Sequence, residues 1–334
     1  MSPEALALTE QDVARLPKVE LHVHLEGSIS PQRVVALAAA RGEALKRPVN
    51  QLFRASSLDE FLANLDWVCS LVRTEEEAEA IAMDFARYAE GQGIVYAEVI
   101  VNPSHWRGIP PESLLAALCA GFSDAHARGG PDLRLVPSIL RQQSVNEAIR
   151  LVDCMAALGS SRIVALSTDG NQARALDSSL RLAPAFEHAR ARGFAGTAHA
   201  GESSGPEGVL AALDVLRVQR IDHGVRAVED RHLLDRLARE HVTLNVCLSS
   251  NCHLLYPDLE AHPLPALMSA GVRCTLNTDD PVVLGTTLNE ELFWSAKAFG
   301  WDRATLATFQ QNALRAAFCS NSDKSGINNL LDPL

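Results

Sequence analysis

Four short motifs carry the residue types that bind metal ions and move protons. They lie far apart in the chain, as His22-Val23-His24, His199-Ala200-Gly201-Glu202, Asp222-His223-Gly224 and Thr278-Asp279-Asp280. Imidazole nitrogens and carboxylate oxygens are ligands that Zn²⁺ accepts, and a catalytic zinc site keeps one position open for water. We predict one zinc ion per chain, and its predicted ligands are His22, His24, His199 and Asp279. Iron or manganese would accept the same ligands, so zinc is an inference from the donor set.

Two further residues of these motifs are suited to proton transfer. Zinc can lower the pKa of a bound water from 15.7 to about 7. A carboxylate and an imidazole beside such a water are the usual general acid and base. We therefore predict that Glu202 and His223 are catalytic.

Each motif by itself also has an ordinary structural explanation. A His-x-His pair can be hydrogen-bonded within a sheet, and Asp279 can cap a helix that begins near Pro281. Glu202 can be a solvated loop acid, and Asp280 an acid that orients a ligand. The functional interpretation therefore depends on whether the fold brings the four motifs together.

The elements that would position these motifs are short apolar runs separated by helical patterns. The runs are rich in Val, Ile and Leu and hydrophobic on both faces, as parallel strands covered by helices require. Eight strands are predicted: Val19–Leu25, Ile94–Val101, Leu133–Leu140, Ile163–Ser167, Ala195–Ala200, Arg220–His223, Val242–Cys247 and Val272–Thr278. The clearest predicted helices between them are Thr74–Gly91, Pro110–Arg128, Asp177–Arg192 and Glu229–Glu240.

This alternation predicts an α/β protein, a single (β/α)₈ TIM barrel over residues 1–320. Two extra amphipathic helices, Pro31–Arg41 and Leu58–Leu71, are predicted in the connection after strand one. Residues 321–334 are polar and weakly helical, and we expect a flexible tail there. Each motif ends a predicted strand, and in a barrel these ends meet at one mouth. His22 and His24 are two residues apart, so both imidazoles project to the same side.

The composition excludes several classes of function. The chain has 334 residues and a net charge of −11, without the dense Lys/Arg needed to bind nucleic acid or anionic membranes. No apolar run approaches the roughly 20 residues that span a bilayer. No signal peptide is recognisable at the N-terminus. We expect a cytoplasmic protein whose seven scattered cysteines are reduced, and whose partner is a small molecule.

The placement of lysine and cysteine narrows the type of metal site. Binuclear amidohydrolases commonly bridge two metals with a carboxylated lysine, and this chain has no lysine between Lys46 and Lys297. A mononuclear site is therefore favoured. Zinc deaminases of the cytidine type need a Pro-Cys-x-x-Cys motif, and no cysteine here follows a proline.

The motifs resemble those of the adenosine/adenine deaminase family of the metal-dependent amidohydrolase superfamily. The resemblance runs from Leu16 to about Phe318. It includes Leu25-Glu26-Gly27, the four motifs above and Cys247-Leu248-Ser249-Ser250-Asn251. It implies hydrolytic removal of the 6-amino group of a purine, with loss of ammonia.

The resemblance also implies roles for individual residues. Glu202 would pass a proton to purine N1, and His223 would orient the attacking water. Asp280 would hydrogen-bond N7, and the backbone of Gly170 would contact N3. Glu26 would meet a substrate hydroxyl or support the metal loop.

The segment after strand four departs from the family pattern. A Gly-x-Glu motif is usual there, whereas this chain has Gly170-Asn171-Gln172, preceded by Ser167. Substrate identity is therefore open. The main expectation is adenosine or 2′-deoxyadenosine, and the alternatives are adenine, aminodeoxyfutalosine and N6-substituted adenines.

Two functions of other classes remain as alternatives. Metal-dependent phosphoesterases also place His-x-His near a strand end, but they usually need more ligands for two or three ions. A metal-stabilised binding module without activity would need neither Glu202 nor His223.

Overall fold

Eight parallel strands form the centre of the protein, in a computed structural model that describes residues 8–53 and 58–331. Neighbours in the sheet follow the order of the chain from β1 to β8. Their bounds are Lys18–His24, Ile94–Val101, Asp132–Leu140, Ala165–Asp169, Ala195–Ala200, Arg220–His223, Thr243–Val246 and Arg273–Leu276. All eight predicted strands are present, with ends shifted by a few residues at most.

The sheet closes on itself where the chain beyond β8 returns to β1. Val23 and Asp279 form an isolated parallel bridge. The His24 amide donates to Asp279 O at 2.7 Å, and the Asp279 amide donates to His22 O at 3.2 Å. The architecture is therefore a (β/α)₈ TIM barrel, as the sequence predicts.

Helices surround the barrel and connect its strands. In chain order, α1 to α15 are Glu10–Ala14, Pro31–Arg41, Leu58–Ser70, Glu75–Gly91, Pro111–Ala127, Val145–Leu158, Ala175–Ala191, Pro206–Ala211, Arg231–Glu240, Leu248–Leu254, Leu264–Ser269, Pro281–Leu284, Leu288–Phe299, Arg303–Ala316 and Asn321–Leu331. Capping boxes start α4 at Thr74 and α6 at Ser144, because each cap is followed three residues later by a glutamate. Within the described residues, no helix is long and apolar enough to cross a membrane.

The two helices predicted in the β1–β2 connection are present as α2 and α3. The carboxylate of Asp66 on α3 accepts from His105 Nδ1 at 2.6 Å and from Arg107 Nη2 at 2.9 Å. His105 and Arg107 follow β2, so these contacts attach the inserted helix to the loop at the barrel mouth.

The C-terminal segment differs from the flexible tail that its composition suggests. Residues 321–331 form α15, and residues 332–334 lie outside the described part of the chain. Ser320 Oγ accepts from the Asp323 amide and starts the helix. Ile327 and Leu331 are buried against Val19 and other residues at the bottom of the barrel. Burial of this i, i+4 pair outweighs the weak helix propensity of the Asn, Ser and Gly residues.

Truncation of Leu331 tests whether α15 is part of the fold. We expect Leu331→Ala to lower the free energy of unfolding by about 2 kcal/mol, as for other buried leucines. The matched control is Leu330→Ala, because Leu330 is 54% exposed and Leu331 only 1%. Urea unfolding of both variants measures the difference. Equal midpoints for the two variants would show that α15 does not contribute to stability.

Candidate active site

The barrel brings the predicted ligand side chains to one mouth. His22 and His24 lie in β1, His199 lies in β5, and Asp279 follows β8. His22 Nε2 lies 3.1 Å from Asp279 Oδ1, and His24 Nε2 lies 3.5 Å from the same oxygen. His24 Nε2 and His199 Nε2 are 3.0 Å apart. Residues separated by more than 250 positions in the chain thus share one small volume.

Two residues of this cluster have an unusual backbone conformation. His223 has φ 66° and Asp279 has φ 67°. A positive φ is uncommon for residues other than glycine, and such strained positions concentrate at functional sites. Here it turns the chain sharply just beyond the strand, so that both side chains face the mouth.

Contacts at the outer nitrogens of two imidazoles turn the opposite ring nitrogens toward the cluster. His22 Nδ1 lies 3.2 Å from Asp222 Oδ1, and His199 Nδ1 lies 3.2 Å from Thr168 O. Thr168 O can only accept, so a neutral His199 carries its proton on Nδ1 and presents a lone pair at Nε2. The Nε2 atoms of His22, His24 and His199 and the Asp279 carboxylate face one another, and at His22 a metal cation would take the place of the proton shared with Asp279. A metal cation placed there would satisfy all of them, so the residues fit a metal ion.

The electrostatics of the cluster favour positive charge. Burial lowers the pKa of His22, but the Asp222 and Asp279 carboxylates outweigh it and raise the pKa to about 10. Burial lowers the pKa of His24 to about 4 and holds that of His199 well below its usual range. Burial alone would raise the pKa of Asp279, yet the hydrogen bond from His22 and the imidazole charges hold it well below normal. Two neutral imidazoles and an ionised carboxylate are the protonation states in which these residues bind metals.

Among the described residues, one group of possible ligand atoms differs by one residue from the predicted set. Atoms of His22, His199, His223 and Asp279 lie within 4.8 Å of one another. His24 is absent from this group, although its Nε2 contacts His199 and Asp279. Five side chains therefore converge, and both His24 and His223 are near enough to be the remaining imidazole ligand.

The two predicted catalytic residues lie next to each other beside the cluster. His223 Nε2 is 3.6 Å from Glu202 Oε1 and 3.9 Å from Asp279 Oδ2. Burial raises the pKa of Glu202, and the Asp279 charge adds to the effect while His223 opposes it. A carboxyl group with a raised pKa is suited to deliver a proton near neutral pH.

Gln172 holds the Glu202 loop, and sequence reasoning assigned it no such role. Its Nε2 donates to Glu202 Oε2 at 3.2 Å. Its Oε1 accepts from the amides of Glu202 and Ser204, and from Ser204 Oγ at 2.8 Å. Gln172 is only 1% exposed. The only sequence signal was its departure from the family motif.

A group of acidic side chains forms a second wall of the mouth. Burial raises the pKa of Asp280 well above its usual range, and the charges of Asp279 and Glu26 add to the effect. Glu26 Oε1 accepts from the Asn102 amide and from Trp106 Nε1, each at 2.7 Å. Asp280 Oδ1 and Glu26 Oε2 are buried without a hydrogen-bond partner. Polar atoms left in this state normally have a partner that the chain itself does not supply.

Gly170 and Asp169 complete this side of the site. Gly170 has φ +85°, a conformation that favours glycine, and follows directly on β4. Asn102 Nδ2 donates to both oxygens of Asp169, at 2.9 and 3.2 Å. Asn102 thereby joins the loop after β2 to the end of β4. Neither Asn102 nor Asp169 was singled out in the sequence, because their association is visible only in three dimensions.

The sequence model of the adenosine deaminase family matches residues 17–333. Adenine deaminase of Rhodospirillum rubrum is 35% identical over 317 residues, which cover 93% of this chain and 94% of that protein. Adenine deaminase of Streptomyces coelicolor is 34% identical over 316 residues, or 92% of each chain. The chain belongs to the adenosine deaminase family. It is a hydrolase of the amidohydrolase superfamily that acts on carbon–nitrogen bonds of cyclic amidines.

Solved structures of this family have the same architecture. Adenine deaminase from Arthrobacter aurescens has a TM-score of 0.89 at 26% identity, covering 95% of this chain and 98% of that one. An amidohydrolase from Burkholderia ambifaria with bound Zn has a TM-score of 0.89 at 29% identity, covering 99% and 94%. Family membership confirms the resemblance inferred from the motifs. It sets aside the phosphoesterase and binding-module alternatives.

Gly27 provides a test of the acidic wall. A Cβ at position 27 would overlap Asp280 Oδ1 and lie 2.5 Å from the Asp280 Cβ. We expect Gly27→Ala to displace Asp280 and to lower kcat/KM for deamination on the order of 10²-fold, the scale of a 1 Å misplacement. Steady-state ammonia release measures this loss, and metal analysis checks that the metal content is unchanged.

The control for this variant is Gly326→Ala in α15, where an added Cβ meets nothing within 4 Å. Gly326→Ala is expected to keep wild-type kcat/KM. An unchanged kcat/KM in Gly27→Ala would remove Asp280 from the active site.

Proposed function

We propose that this protein is a zinc-dependent adenine deaminase that converts adenine and water to hypoxanthine and ammonia. The observation that carries the proposal is that the imidazole–carboxylate cluster lies beside an acidic wall, formed by Glu26 and Asp280. One buried carboxyl oxygen of each of these two residues has no hydrogen-bond partner. The curated relatives named adenine deaminase support this substrate. They favour the alternative, adenine, over adenosine, which was the main expectation from the sequence.

The metal is proposed to be held by His22, His24, His199 and Asp279. The Burkholderia ambifaria amidohydrolase carries bound Zn, and this favours zinc here. When bound, the metal would lower the pKa of a water molecule and supply the nucleophile. The Nε2 atoms of His199 and His22 face the cluster, and this orientation supports these two as ligands.

Glu202 is the proposed proton carrier of the reaction. Its raised pKa lets it hold a proton at Oε1 or Oε2 and pass it to N1 of the purine ring. Protonation at N1 makes C6 electrophilic, and water adds there before ammonia leaves. His223, 3.6 Å from Glu202, would orient the water and stabilise the charge that develops on it.

The acidic wall supports a free base better than a nucleoside. Adenine carries an N–H on its imidazole ring, at the position where a nucleoside carries its sugar. Such a donor suits the partnerless oxygen of Glu26. Asp280 is proposed to contact N7 in its protonated form, in keeping with its raised pKa, and the Gly170 backbone to contact N3.

A substrate panel tests the proposed substrate. We expect ammonia release and the matching ultraviolet change to be fastest with adenine, compared with adenosine, 2′-deoxyadenosine, aminodeoxyfutalosine and N6-substituted adenines. A kcat/KM for adenosine above that for adenine would refute the free-base assignment. Silence across the panel with zinc bound would refute the whole proposal.

The role of Glu202 is tested by Glu202→Gln, which keeps the shape and removes the ionisable proton. We expect kcat to fall by about 10²- to 10⁴-fold, the usual contribution of a general acid or base. Metal analysis should still find about one zinc per chain, because Glu202 is not a proposed ligand. Glu207→Gln, on the same connection after β5, is the matched control and should retain wild-type turnover. Wild-type kcat in Glu202→Gln would exclude Glu202 as the proton carrier.

A further inference from the structure

A chain of buried hydrogen bonds leads from the protein interior to His223. The Leu264 amide lies 3.1 Å from His262 Nδ1, and His262 Nε2 lies 3.3 Å from Asn251 Oδ1. Asn251 Nδ2 lies 3.2 Å from His223 Nδ1. Asn251 is fully buried, His262 is 3% exposed and His223 is 1% exposed. The chain is therefore shielded from water along its whole length.

The donor and acceptor of each hydrogen bond in this chain follow from the Leu264 amide at its start. A peptide N–H can only donate, so His262 Nδ1 must be the acceptor for Leu264. Burial lowers the pKa of His262 to about 4, so the ring is neutral and its proton is on Nε2. That N–H donates to Asn251, and the oxygen of the amide must therefore face His262. The NH₂ group then faces His223 and donates to Nδ1.

We propose that Asn251 and His262 are positioning residues that hold His223 with its proton on Nε2. A neutral imidazole that accepts at Nδ1 has to donate at Nε2. Nε2 is the atom that faces Glu202 Oε1 and Asp279 Oδ2. His223 therefore presents an N–H to the reacting groups and has no lone pair there for a metal. The remaining imidazole ligand of the metal is then His24. The tautomer of His223 is independent of the proposed deaminase function, and only its catalytic consequence rests on that function.

The sequence offers a partial sign of this arrangement. Asn251 closes the motif Cys247-Leu248-Ser249-Ser250-Asn251, whose resemblance to the family carried no assigned role. His262 precedes Pro263 in a loop after α10, eleven residues further on. Asn251 contacts the cluster at His223, and His262 contacts Asn251.

The first test reverses the bond to His223. Asn251→Asp has the same shape, but it replaces the donor that faces Nδ1 with a carboxylate oxygen, so the His223 proton moves to Nδ1. We expect kcat to fall by about 10²- to 10⁴-fold, as for a catalytic histidine in the wrong tautomer, with KM within about threefold of wild type. Zinc content should remain at wild-type level.

A control variant at the half-buried Asn312 separates this effect from the general cost of putting a carboxylate where an amide faces an acceptor. Asn312 Nδ2 donates to Cys274 O at 3.1 Å, outside the barrel mouth. Asn312→Asp therefore makes the same exchange of donor for acceptor. We expect it to lower stability without changing kcat. Wild-type kcat in Asn251→Asp, or an equal loss of kcat in Asn312→Asp, would overturn the proposal.

The second test uses His262. Glutamine can accept from Leu264 and donate to Asn251, whereas leucine can do neither. We expect His262→Gln to keep kcat within about fivefold of wild type and His262→Leu to lose at least tenfold, with KM little changed in both. Equal kcat in the two variants would show that His262 acts only through its volume.

A third measurement does not depend on activity. Nitrogen-15 NMR of histidine side chains in the zinc-loaded protein distinguishes a ring N–H from a bare ring nitrogen, and the His223 signals are those lost in His223→Gln. We expect N–H at Nε2 in wild type and N–H at Nδ1 in Asn251→Asp. An Nδ1–H tautomer in wild type would refute the inference. Failure of the substrate panel would refute the proposed function and leave this result standing.

Discussion

The pairing of β1 with the chain beyond β8 is the contact on which the rest of the site depends. Two backbone hydrogen bonds join His22 and His24 to Asp279, and the same bonds close the barrel. Closure and assembly of the cluster are therefore one structural event. The positive φ at Asp279 is the local strain that this geometry requires, and the surrounding barrel must supply the energy to hold it.

Closure of the barrel at this point gives the consecutive residues Asp279 and Asp280 opposite shifts of pKa. Asp279 meets imidazoles that offset its burial and hold its pKa well below normal. Asp280 lies on the opposite side of the turn, where burial and the charges of Asp279 and Glu26 raise its pKa well above normal. Adjacent residues thus provide an anionic carboxylate and a neutral carboxyl group that can donate a hydrogen bond. This contrast suits a site that binds a cation on one side and an uncharged heterocycle on the other.

The sequence predicted the barrel and the convergence of the motifs because strand ends follow simple rules. Apolar runs mark the strands, and the period of two places His22 and His24 on one side. The proposed role of Glu202 rests on its place in the His199 motif and on the family resemblance. What could not be predicted depends on contacts between distant loops. The Asp222 contact to His22 and the Asn251–His262 chain involve side chains whose partners no sequence spacing reveals. The helix Asn321–Leu331 was missed for the same reason, because tertiary burial decides it.

Gln172, which departs from the Gly-x-Glu motif of the family and follows the end of β4, contacts the loop that carries Glu202. As a departure from a family motif near the proposed purine site, it bears on the choice of substrate. In the structure, the same amide binds Glu202 Oε2 and the backbone of the loop that carries Glu202. An N–H at Oε2 stabilises negative charge on that oxygen and fixes the orientation of the Glu202 carboxyl group. A change at Gln172 therefore affects the position of Glu202 as well as the segment proposed to contact the substrate. Because the Gln172 side chain joins the end of β4 to the loop after β5, a substitution that removes its amide also releases that loop.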